Sequence, residues 1–410
     1  MSFVLALSTI KVKINNMKNI GIIVDNDFNN DIRVKREADI LKQKGFNVVV
    51  LCFAFDNKEY DLIPGLTIHR IKMKKKIKDI LFFLFNRLPL YELLWKKEVR
   101  RFVQKYTIDV VHVHDLYMSK AVHVAIKPLD KKIPIILDLH ENFPYAVQSY
   151  NWTKGTLRRW VSKPQAWIKK EAEYLSYASK WIVLSASFRE ELLQRYSFIH
   201  ENDIFFFPNV INFREFEQYN INPSLKRTKR VTLMYFGGVA ERRGIFEALQ
   251  VFEKGLENNL NIDLLIIGPI DKADKTKFLN IIHQPNLKNN INYIPWIDIS
   301  ELVSYMHISD IFLSPLIKNK QHESGVANKI FQYMYGAKPI IVSDCKPQQE
   351  LIESCNCGLS YSTQEEFLDC ITTLIEDEVL RRELGANGFK KLYEKYDNKE
   401  YENILLALYN

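Results

Sequence analysis

The sequence contains few cysteines and no long apolar run. Five of its 410 residues are cysteine, none in Cys-x-x-Cys spacing, and we expect Cys355 and Cys357 to be reduced thiols rather than metal ligands. This usage suits a reducing compartment, the cytoplasm. No apolar run reaches the roughly 18 residues that a membrane-spanning helix requires. No basic region precedes the apolar stretch in residues 1–16, so we expect an upstream or disordered extension and no signal peptide.

The net charge is +8, and basic residues concentrate between Arg70 and Arg101, where they flank an apolar aromatic segment containing LFFLF. This composition is typical of a helix at an anionic membrane surface, and it predicts a peripheral protein at the inner face of the cytoplasmic membrane. The alternative is a core helix with a solvated basic flank. No nucleic-acid-binding motif accompanies the charge, so we expect no nucleic-acid partner.

Short apolar strands alternate with helices in both halves of the chain, around a predicted first helix at Arg33–Lys44. The predicted strands are Ile20–Val24, Val48–Phe53, Val110–Val113, Ile135–Leu139, Lys180–Leu184 and Ile204–Pro208, then Val231–Phe236, Leu264–Gly268, Ile291–Ile294, Ile311–Leu313 and Pro339–Ser343. Such alternation is typical of α/β proteins with parallel sheets. We predict two doubly wound, Rossmann-like domains that face each other across a cleft.

The predicted domain boundaries follow from where this alternation stops. The polar, basic and proline-containing stretch NINPSLKRTKR ends at Arg230 and indicates a linker. We predict an amino-terminal domain at 17–215, a linker at 216–230 and a carboxy-terminal domain at 231–390. The remaining segment, 391–410, carries an amphipathic helix near Asn398–Tyr409 that can pack back on the first domain.

A glycine-rich loop with two arginines follows the first strand of the second half. Gly237 and Gly238 end the strand, and Arg242 and Arg243 precede a helix that begins near Gly244. Glycines let a backbone approach a phosphate, and arginine grips a diphosphate with two parallel hydrogen bonds. The alternative is a surface loop with solvated arginines. The loop has neither Gly-x-Gly-x-x-Gly nor a Walker lysine, which disfavours a dinucleotide oxidoreductase or a P-loop enzyme.

A second anion site is predicted where GVANKIFQYMYG begins. Gly325 and the residues up to Asn328 would offer free backbone N–H groups at a helix start, and Lys329 adds positive charge. Gln332 lies one turn beyond Asn328 on the same helix face. Its side chain can hydrogen-bond the sugar hydroxyls of a nucleotide.

Three segments resemble glycosyltransferase family 4, which has the GT-B fold. ANKIFQYMYGAKP is similar to a Pro-Asn-Lys-apolar-Phe-Glu-Tyr-Met stretch followed by Gly-x-Pro. The loop 237–244 matches Gly-Gly-x4-Arg-Gly, and NDIRVKREADIL at 30–41 matches Asn-Asp-x-Arg-Val-x2-Glu-Ala-x2-Leu. The resemblance extends from about Met17 to the end of the chain.

The resemblance implies a retaining transferase that moves a sugar from a nucleoside diphosphate-sugar to an acceptor hydroxyl, without a metal or other cofactor. Arg243 and Lys329 would stabilise the departing diphosphate, with His140 as the third catalytic residue. The implied acceptor is a glycan or lipid-linked glycan of a bacterial capsule, O-antigen or lipopolysaccharide. The alternatives are a catalytically silent nucleotide-sugar-binding protein and a nucleotide-sugar epimerase.

Several positions depart from the family pattern. The family has a Glu-x7-Glu motif whose second Glu contacts the donor ribose, and Gln332 stands there, with Ser324 at the first position. Glu323, next to Ser324, is therefore the candidate carboxylate of the donor site. Gly238 replaces the arginine that many members carry after the first loop glycine, so we expect Arg243 to bind the diphosphate, with Arg242 as the fallback.

The strand ends of the first half supply the predicted acceptor side. By resemblance, His140 in LDLHENFPYAVQ lies near the reacting carbon of the donor, and Glu141 is a partner for the acceptor hydroxyl. A capping or core role is the alternative for His140. The loop from Asp25 to Arg33 is expected to shape the acceptor side.

Two motifs of metal-binding residue types are more simply explained without a metal. Asp25-Asn26-Asp27 spells the Asp-x-Asp of transferases with another fold, but it lies opposite the predicted donor half, and we treat it as chance. His112, His114 and Asp115 are possible zinc ligands. Polar strand ends that line a cleft are commoner, so we place His114 and Asp115 on the acceptor side.

Overall fold

The structure, a computed structural model, describes residues 18–29, 31–55, 60, 63–396 and 398–409. Two parallel sheets carry helices between their strands, which confirms the predicted α/β class. The segment 1–16, which we interpreted as an extension, lies outside the described residues.

The first sheet has seven strands in the order β3-β2-β1-β4-β5-β6-β7. Its strands are β1 Asn19–Ile23, β2 Asn47–Phe55, β3 Thr67–Met73, β4 Val110–His114, β5 Ile135–Asp138, β6 Lys180–Val183 and β7 Ile204–Phe206. Its helices are α1 Ile32–Gln43, α2 Lys75–Phe83, α3 Leu90–Lys105, α4 Ser119–Ile126, α5 Phe143–Ser149, α6 Thr156–Ser162, α7 Ala166–Leu175, α8 Ala186–Arg195 and α9 Phe213–Phe216.

The second sheet has six strands in the order β10-β9-β8-β11-β12-β13. Its strands are β8 Val231–Phe236, β9 Ile262–Ile267, β10 Ile291–Ile294, β11 Ile311–Ser314, β12 Ile340–Ser343 and β13 Gly358–Tyr361. The helices are α10 Ile245–Glu257, α11 Lys275–Ile282, α12 Leu302–Ile308, α13 Asn328–Tyr335, α14 Lys346–Cys355, α15 Gln364–Glu376, α16 Glu378–Tyr396 and α17 Asn398–Ala407. No helix or strand occupies the described residues 217–230.

The central strands are apolar because both faces of each sheet are covered by helices. β4 is buried along its whole length, and β8 is buried at its four middle positions. The sequence pattern missed two edge strands, β3 and β13. Each of them is mostly half-buried and mixes polar with apolar residues, so neither produces a continuous apolar run.

The last helix returns to the first sheet. Lys180 of β6 donates a hydrogen bond from Nζ to the backbone oxygen of Leu408, at 2.8 Å. The Tyr409 ring packs against Phe46, with centroids 5.7 Å apart. The residues after α16 therefore fasten the second half of the chain to the first.

The basic apolar segment does not form one exposed helix, contrary to the interpretation of LFFLF. The first residues of the segment belong to β3, and the helices α2 and α3 follow. Phe82 lies in an aromatic cluster, with its ring centroid 5.6 Å from that of Tyr91, and Phe85 is buried. The aromatic side chains of this run thus pack toward the first sheet, because burying apolar surface against other apolar side chains is more favourable than exposing it to water. Other side chains of this segment remain exposed.

Candidate active site

A cleft of about 510 Å³ lies between the carboxyl ends of the two sheets, where ligands bind in open α/β folds. Both halves of the chain line it, and residues far apart in sequence meet there. The predicted site residues on its walls are His140, Glu141, Gly237, Gly238, Arg243, Gly325, Asn328, Lys329 and Gln332. The fold therefore assembles most of the predicted donor site.

The loop after β8 directs Arg243 into this cleft. Gly244 makes the turn with φ of +74°, and a Cβ there would lie only 1.4 Å from the backbone oxygen of Pro315. Glycine is therefore required at this turn. Gly238 lines the cleft, and a Cβ added there meets no atom of the described residues within 4 Å.

Arg242 occupies a different place from Arg243. Its guanidinium lies 5.8 Å from the ring centroid of Tyr150 on the opposite domain, and it is absent from the cleft lining. The prediction of Arg242 as a donor-binding residue is therefore replaced by a role between the two domains.

Helix α13 directs its amino terminus at the cleft. Ala327 precedes it in an extended conformation and supplies no side-chain cap, so the first backbone N–H groups remain available to an anion. The Lys329 ammonium is buried and lies 4.0 Å from the ring centroid of Tyr235. Burial, and then the charge of Arg243, hold the pKa of Lys329 well below its ordinary value.

Gln332 and Ser324 both line the cleft, whereas Glu323 does not. Ser324 is buried between the domains: its Oγ accepts a hydrogen bond from Asn142 at 2.9 Å, and its backbone oxygen accepts one from Ser185 at 2.9 Å. Glu323 is directed away from the cleft and caps α14, since its Oε1 accepts from the Lys346 backbone N–H at 3.0 Å. The prediction of Glu323 as a donor-binding carboxylate is wrong.

His140 and Glu141 form the opposite wall. Burial lowers the pKa of His140, but the Asp138 and Asp115 carboxylates together outweigh burial and raise that pKa to about 9. Burial raises the pKa of Glu141 to about 7, although Tyr150 donates a hydrogen bond to it at 2.7 Å. The cleft therefore pairs an imidazolium with a carboxyl group that titrates near neutrality.

Behind His140 lies a buried group of charged side chains. Arg33 donates to Asp138 from Nε at 2.9 Å and pairs with Glu37 at 3.1 Å. Burial alone would raise the pKa of Asp138, but Arg33 and then His140 hold it well below its usual range. Arg33 is thus an internal counterion, and it also borders a depression beside the cleft on the side of the first domain.

His114 also lies in this buried group, and its Nδ1 lies 2.8 Å from Nε2 of His140, which lines the cleft. Of the described residues, those that come close enough to share a metal ion are Glu37, His112, His114 and Asp138. Asp115 is not among them, so the zinc set considered from the sequence does not form. Because Arg33 pairs with both Glu37 and Asp138, we interpret the group as a charge-paired network.

Two further acceptor-side predictions are changed by the structure. Asp25 is buried, accepts hydrogen bonds from Tyr91 and Tyr117, and pairs with Lys78 at 3.2 Å. It holds the first domain together and does not face the cleft. Asp115 accepts from Tyr117 at 3.2 Å and is likewise absent from the cleft lining.

A depression of about 340 Å³ adjoins the cleft on the side of the first domain. The two share Ile32, His140, Asn209 and Asn328, and the depression adds Asn26, Asp27, Asp31 and Arg33. Asn209 was missed by the sequence reasoning, although it follows a predicted strand end as polar cleft residues do. The loop predicted to shape the acceptor side therefore does border the cleft.

Each half of the chain matches a known protein family. The family described as Glycosyl transferases group 1 matches residues 217–391, and the family described as Glycosyltransferase Family 4 matches residues 32–215. With the two facing α/β sheets, these matches define a glycosyltransferase of the GT-B fold. The chain belongs to glycosyltransferase family 4, as the resemblance predicted.

Curated relatives are distant. The chain is 23% identical over 211 residues to the capsular polysaccharide biosynthesis glycosyltransferase CapM of Staphylococcus aureus, which covers 49% of this chain and 53% of CapM. It is 23% identical over 387 residues to the uncharacterized glycosyltransferase MJ1607 of Methanocaldococcus jannaschii, with 91% of this chain and 92% of that protein covered.

Solved structures share the fold. Sucrose-phosphate synthase from Thermosynechococcus elongatus superposes with a TM-score of 0.74 at 15% identity, over 96% of this chain and 98% of that one. Anabaena Alr3699/HepE in complex with UDP gives a TM-score of 0.66 at 13% identity, over 96% and 98% of the two chains. The GT-B prediction is thereby confirmed.

Proposed function

We propose that the protein transfers a sugar, with retention of configuration and without a metal, from a nucleoside diphosphate-sugar to an acceptor hydroxyl. The observation that carries this proposal is the presence of two basic side chains, the half-buried Arg243 and the buried Lys329, beside the uncapped start of α13. Desolvated positive charge without a bound anion is costly, and a diphosphate would relieve that cost. HepE, a structural neighbour, is seen with UDP.

The same cations supply the chemistry of the reaction. Negative charge develops on the departing diphosphate, and fixed cations in a closed cleft stabilise it more than water does. His140 faces the donor side as an imidazolium and would donate a hydrogen bond to the donor sugar. Glu141, with its pKa near 7, lines the same cleft and would accept the proton of the acceptor hydroxyl.

The proposed acceptor is a glycan or lipid-linked glycan of a bacterial surface polysaccharide. CapM, which aligns with 49% of this chain, is named as a glycosyltransferase of capsular polysaccharide biosynthesis. The depression beside the cleft is polar and open, which suits a chain of sugars.

Binding of nucleotides tests the donor site. We expect the melting temperature to rise in the presence of one nucleoside diphosphate and its sugar, among UDP, GDP, ADP and their sugar conjugates. Gly238→Ala adds a methyl group where the protein leaves space, so it should fold normally yet block the close approach of a phosphate. Its melting temperature without ligand should match the wild type, and its ligand-induced shift should vanish.

The panel also separates the alternatives. No shift with any nucleotide would contradict the donor site. A shift without release of free nucleoside diphosphate on prolonged incubation would favour the silent binding protein. Conversion of the bound sugar without any acceptor would favour an epimerase.

We further propose that α2, the start of α3 and α6 bind an anionic membrane surface. No helix in the described part of the chain is long and apolar enough to span a bilayer. In α6, Leu157 is 72% exposed and Trp160 is 66% exposed. Arg87, in the turn between α2 and α3, contacts α6, with its guanidinium 4.3 Å from the Trp160 ring centroid. Further exposed apolar side chains of this face are Ile77, Ile80, Leu88, Leu90 and Leu93.

Exposed lysines and arginines border this apolar face, among them Lys74, Lys75, Lys76, Arg158 and Arg159. Apolar side chains with a basic border are typical of binding to anionic lipids at the interface. We expect the protein to sediment with vesicles that contain phosphatidylglycerol, less so with phosphatidylcholine alone, and less at high salt.

Trp160→Ser should weaken binding to these vesicles about tenfold, because it removes a large interfacial side chain. Trp296→Ser is the matched control, since Trp296 is 70% exposed but lies on the second domain. Equal sedimentation of wild type and Trp160→Ser would contradict the proposed membrane face.

A further inference from the structure

A buried chain of side chains joins the carboxy-terminal tail to His140. The hydroxyl of Tyr409 lies 2.6 Å from Nδ1 of His112. The His112 ring stacks on the ring of His114, with centroids 4.6 Å apart, and Nδ1 of His114 lies 2.8 Å from Nε2 of His140. Of these four side chains, His140 alone lines the cleft.

Glu37 of α1 completes the chain. Its Oε2 lies 3.8 Å from Nε2 of His112 and 3.7 Å from Nε2 of His114. Neither ring nitrogen has a hydrogen-bond partner at normal distance among the described residues. Both imidazoles therefore direct their second nitrogen at the same carboxylate oxygen.

We propose that Tyr409 is a positioning residue for His140, acting through His112 and Glu37; this inference rests on the proposed role of His140 in transfer. The hydroxyl donates to Nδ1 of His112, so the ring proton lies on Nε2 and faces Glu37. His140 donates from Nε2 to Nδ1 of His114, so that ring also carries its proton on Nε2. Two N–H groups then favour the ionised form of Glu37.

The charge of Glu37 in turn affects His140. Burial raises the pKa of Glu37 well above its ordinary value, Arg33 lowers that pKa, and Asp138 raises it further. N–H groups from His112 and His114 would add to the lowering. The other charged groups around His140 are Asp138 and Asp115, which favour its imidazolium, Arg33, which opposes it, and the neighbouring Glu141. An ionised Glu37 would favour the imidazolium of His140, as Asp138 and Asp115 do.

Loss of the Tyr409 hydroxyl frees His112 to move its proton to Nδ1. A lone pair would then face Glu37, which would keep its proton to higher pH. The imidazolium of His140 loses a nearby negative charge, and its pKa falls. The tail thus sets how much of His140 is protonated in the cleft.

The test compares Tyr409→Phe with Tyr393→Phe in the ligand-free protein. Phenylalanine keeps the ring that packs on Phe46, and Tyr393 donates its hydroxyl to Glu217 at 3.0 Å, outside the network. Nitrogen-15 NMR of labelled histidine reports the tautomer and pKa of each of the nine histidines. We expect the His140 pKa to fall by about one unit in Tyr409→Phe and to stay unchanged in Tyr393→Phe.

Other outcomes would overturn the proposal. A wild-type spectrum with the His112 proton on Nδ1 does so without any variant. The proposal is also overturned if Tyr409→Phe folds and the pKa of His140 stays at its wild-type value. Glu37→Gln should lower the His140 pKa by itself, and adding Tyr409→Phe should then cause no further fall; a full additional fall would contradict the route through Glu37.

The rate of donor turnover separates this proposal from the function it rests on. With the sugar nucleotide that the binding panel selects, the alkaline limb of the pH–rate profile should move to lower pH in Tyr409→Phe, because the imidazolium persists only below the lowered pKa. An NMR shift without movement of this limb supports the coupling and overturns the role of His140 in transfer.

Discussion

Arg243→Ala is expected to lower the rate of sugar transfer by about 10²–10³-fold, the usual loss when one preorganised donor to a developing anion is removed. Arg243 is the guanidinium that the loop after β8 directs into the cleft, and water would replace it poorly there. Because the charge develops in the transition state, the loss should appear mainly in kcat. Steady-state kinetics with the selected sugar nucleotide measure it.

Arg242→Ala is the comparison for this prediction. The Arg242 side chain lies toward Tyr150 and not in the cleft lining. We expect its loss to reduce kcat by less than about tenfold, through weaker contact between the domains. Equal losses in the two variants would mean that the diphosphate binds both arginines.

Arg33→Met is expected to lower the free energy of unfolding by about 3–5 kcal/mol, the typical result of removing one member of a buried ion pair. The side chains of Glu37 and Asp138 are both fully buried and both face the Arg33 guanidinium. Without it, two buried carboxylates lose their counterion. Urea denaturation followed by circular dichroism measures the change in the free energy of unfolding. If the two domains unfold in separate transitions, the transition of the first domain is the one to compare.

Arg101→Met is the matched control on a surface helix. Arg101 pairs with Glu98 at 3.3 Å, but its side chain is 63% exposed. Exposed pairs contribute between about 0 and 1 kcal/mol, so the control should unfold near the wild-type midpoint. A similarly small effect of Arg33→Met would contradict its role as internal counterion.

The sequence was sufficient to predict most of the donor-site candidates that line the cleft, because the signals for phosphate recognition are local. Gly237, Gly244 and the start of α13 are each defined by a strand end or a helix start, and such signals span few residues. The same holds for α1, which the sequence placed at Arg33–Lys44 and the structure places at Ile32–Gln43.

Residues whose role depends on distant partners were harder to assign. Glu323 is one residue from the expected position and still faces away, because the short turn at 322–324 directs it to Lys346. Asp25 follows a strand end, as site residues do, yet Tyr91 and Tyr117 enclose it. Its partners lie 66 and 92 residues further along the chain, where no local pattern indicates them.

The sequence by itself determined the class of fold, the two helix starts that we propose bind phosphate and the basic residues beside them, since apolar periodicity and turn residues act over short stretches of chain. Only the tertiary structure decided which polar side chains reach the cleft and which become counterions in the core. It also brought Tyr409 to His112 across 297 residues. Burial and long-range pairing are properties of the packed molecule, and they set the charge of a side chain as much as its residue type does.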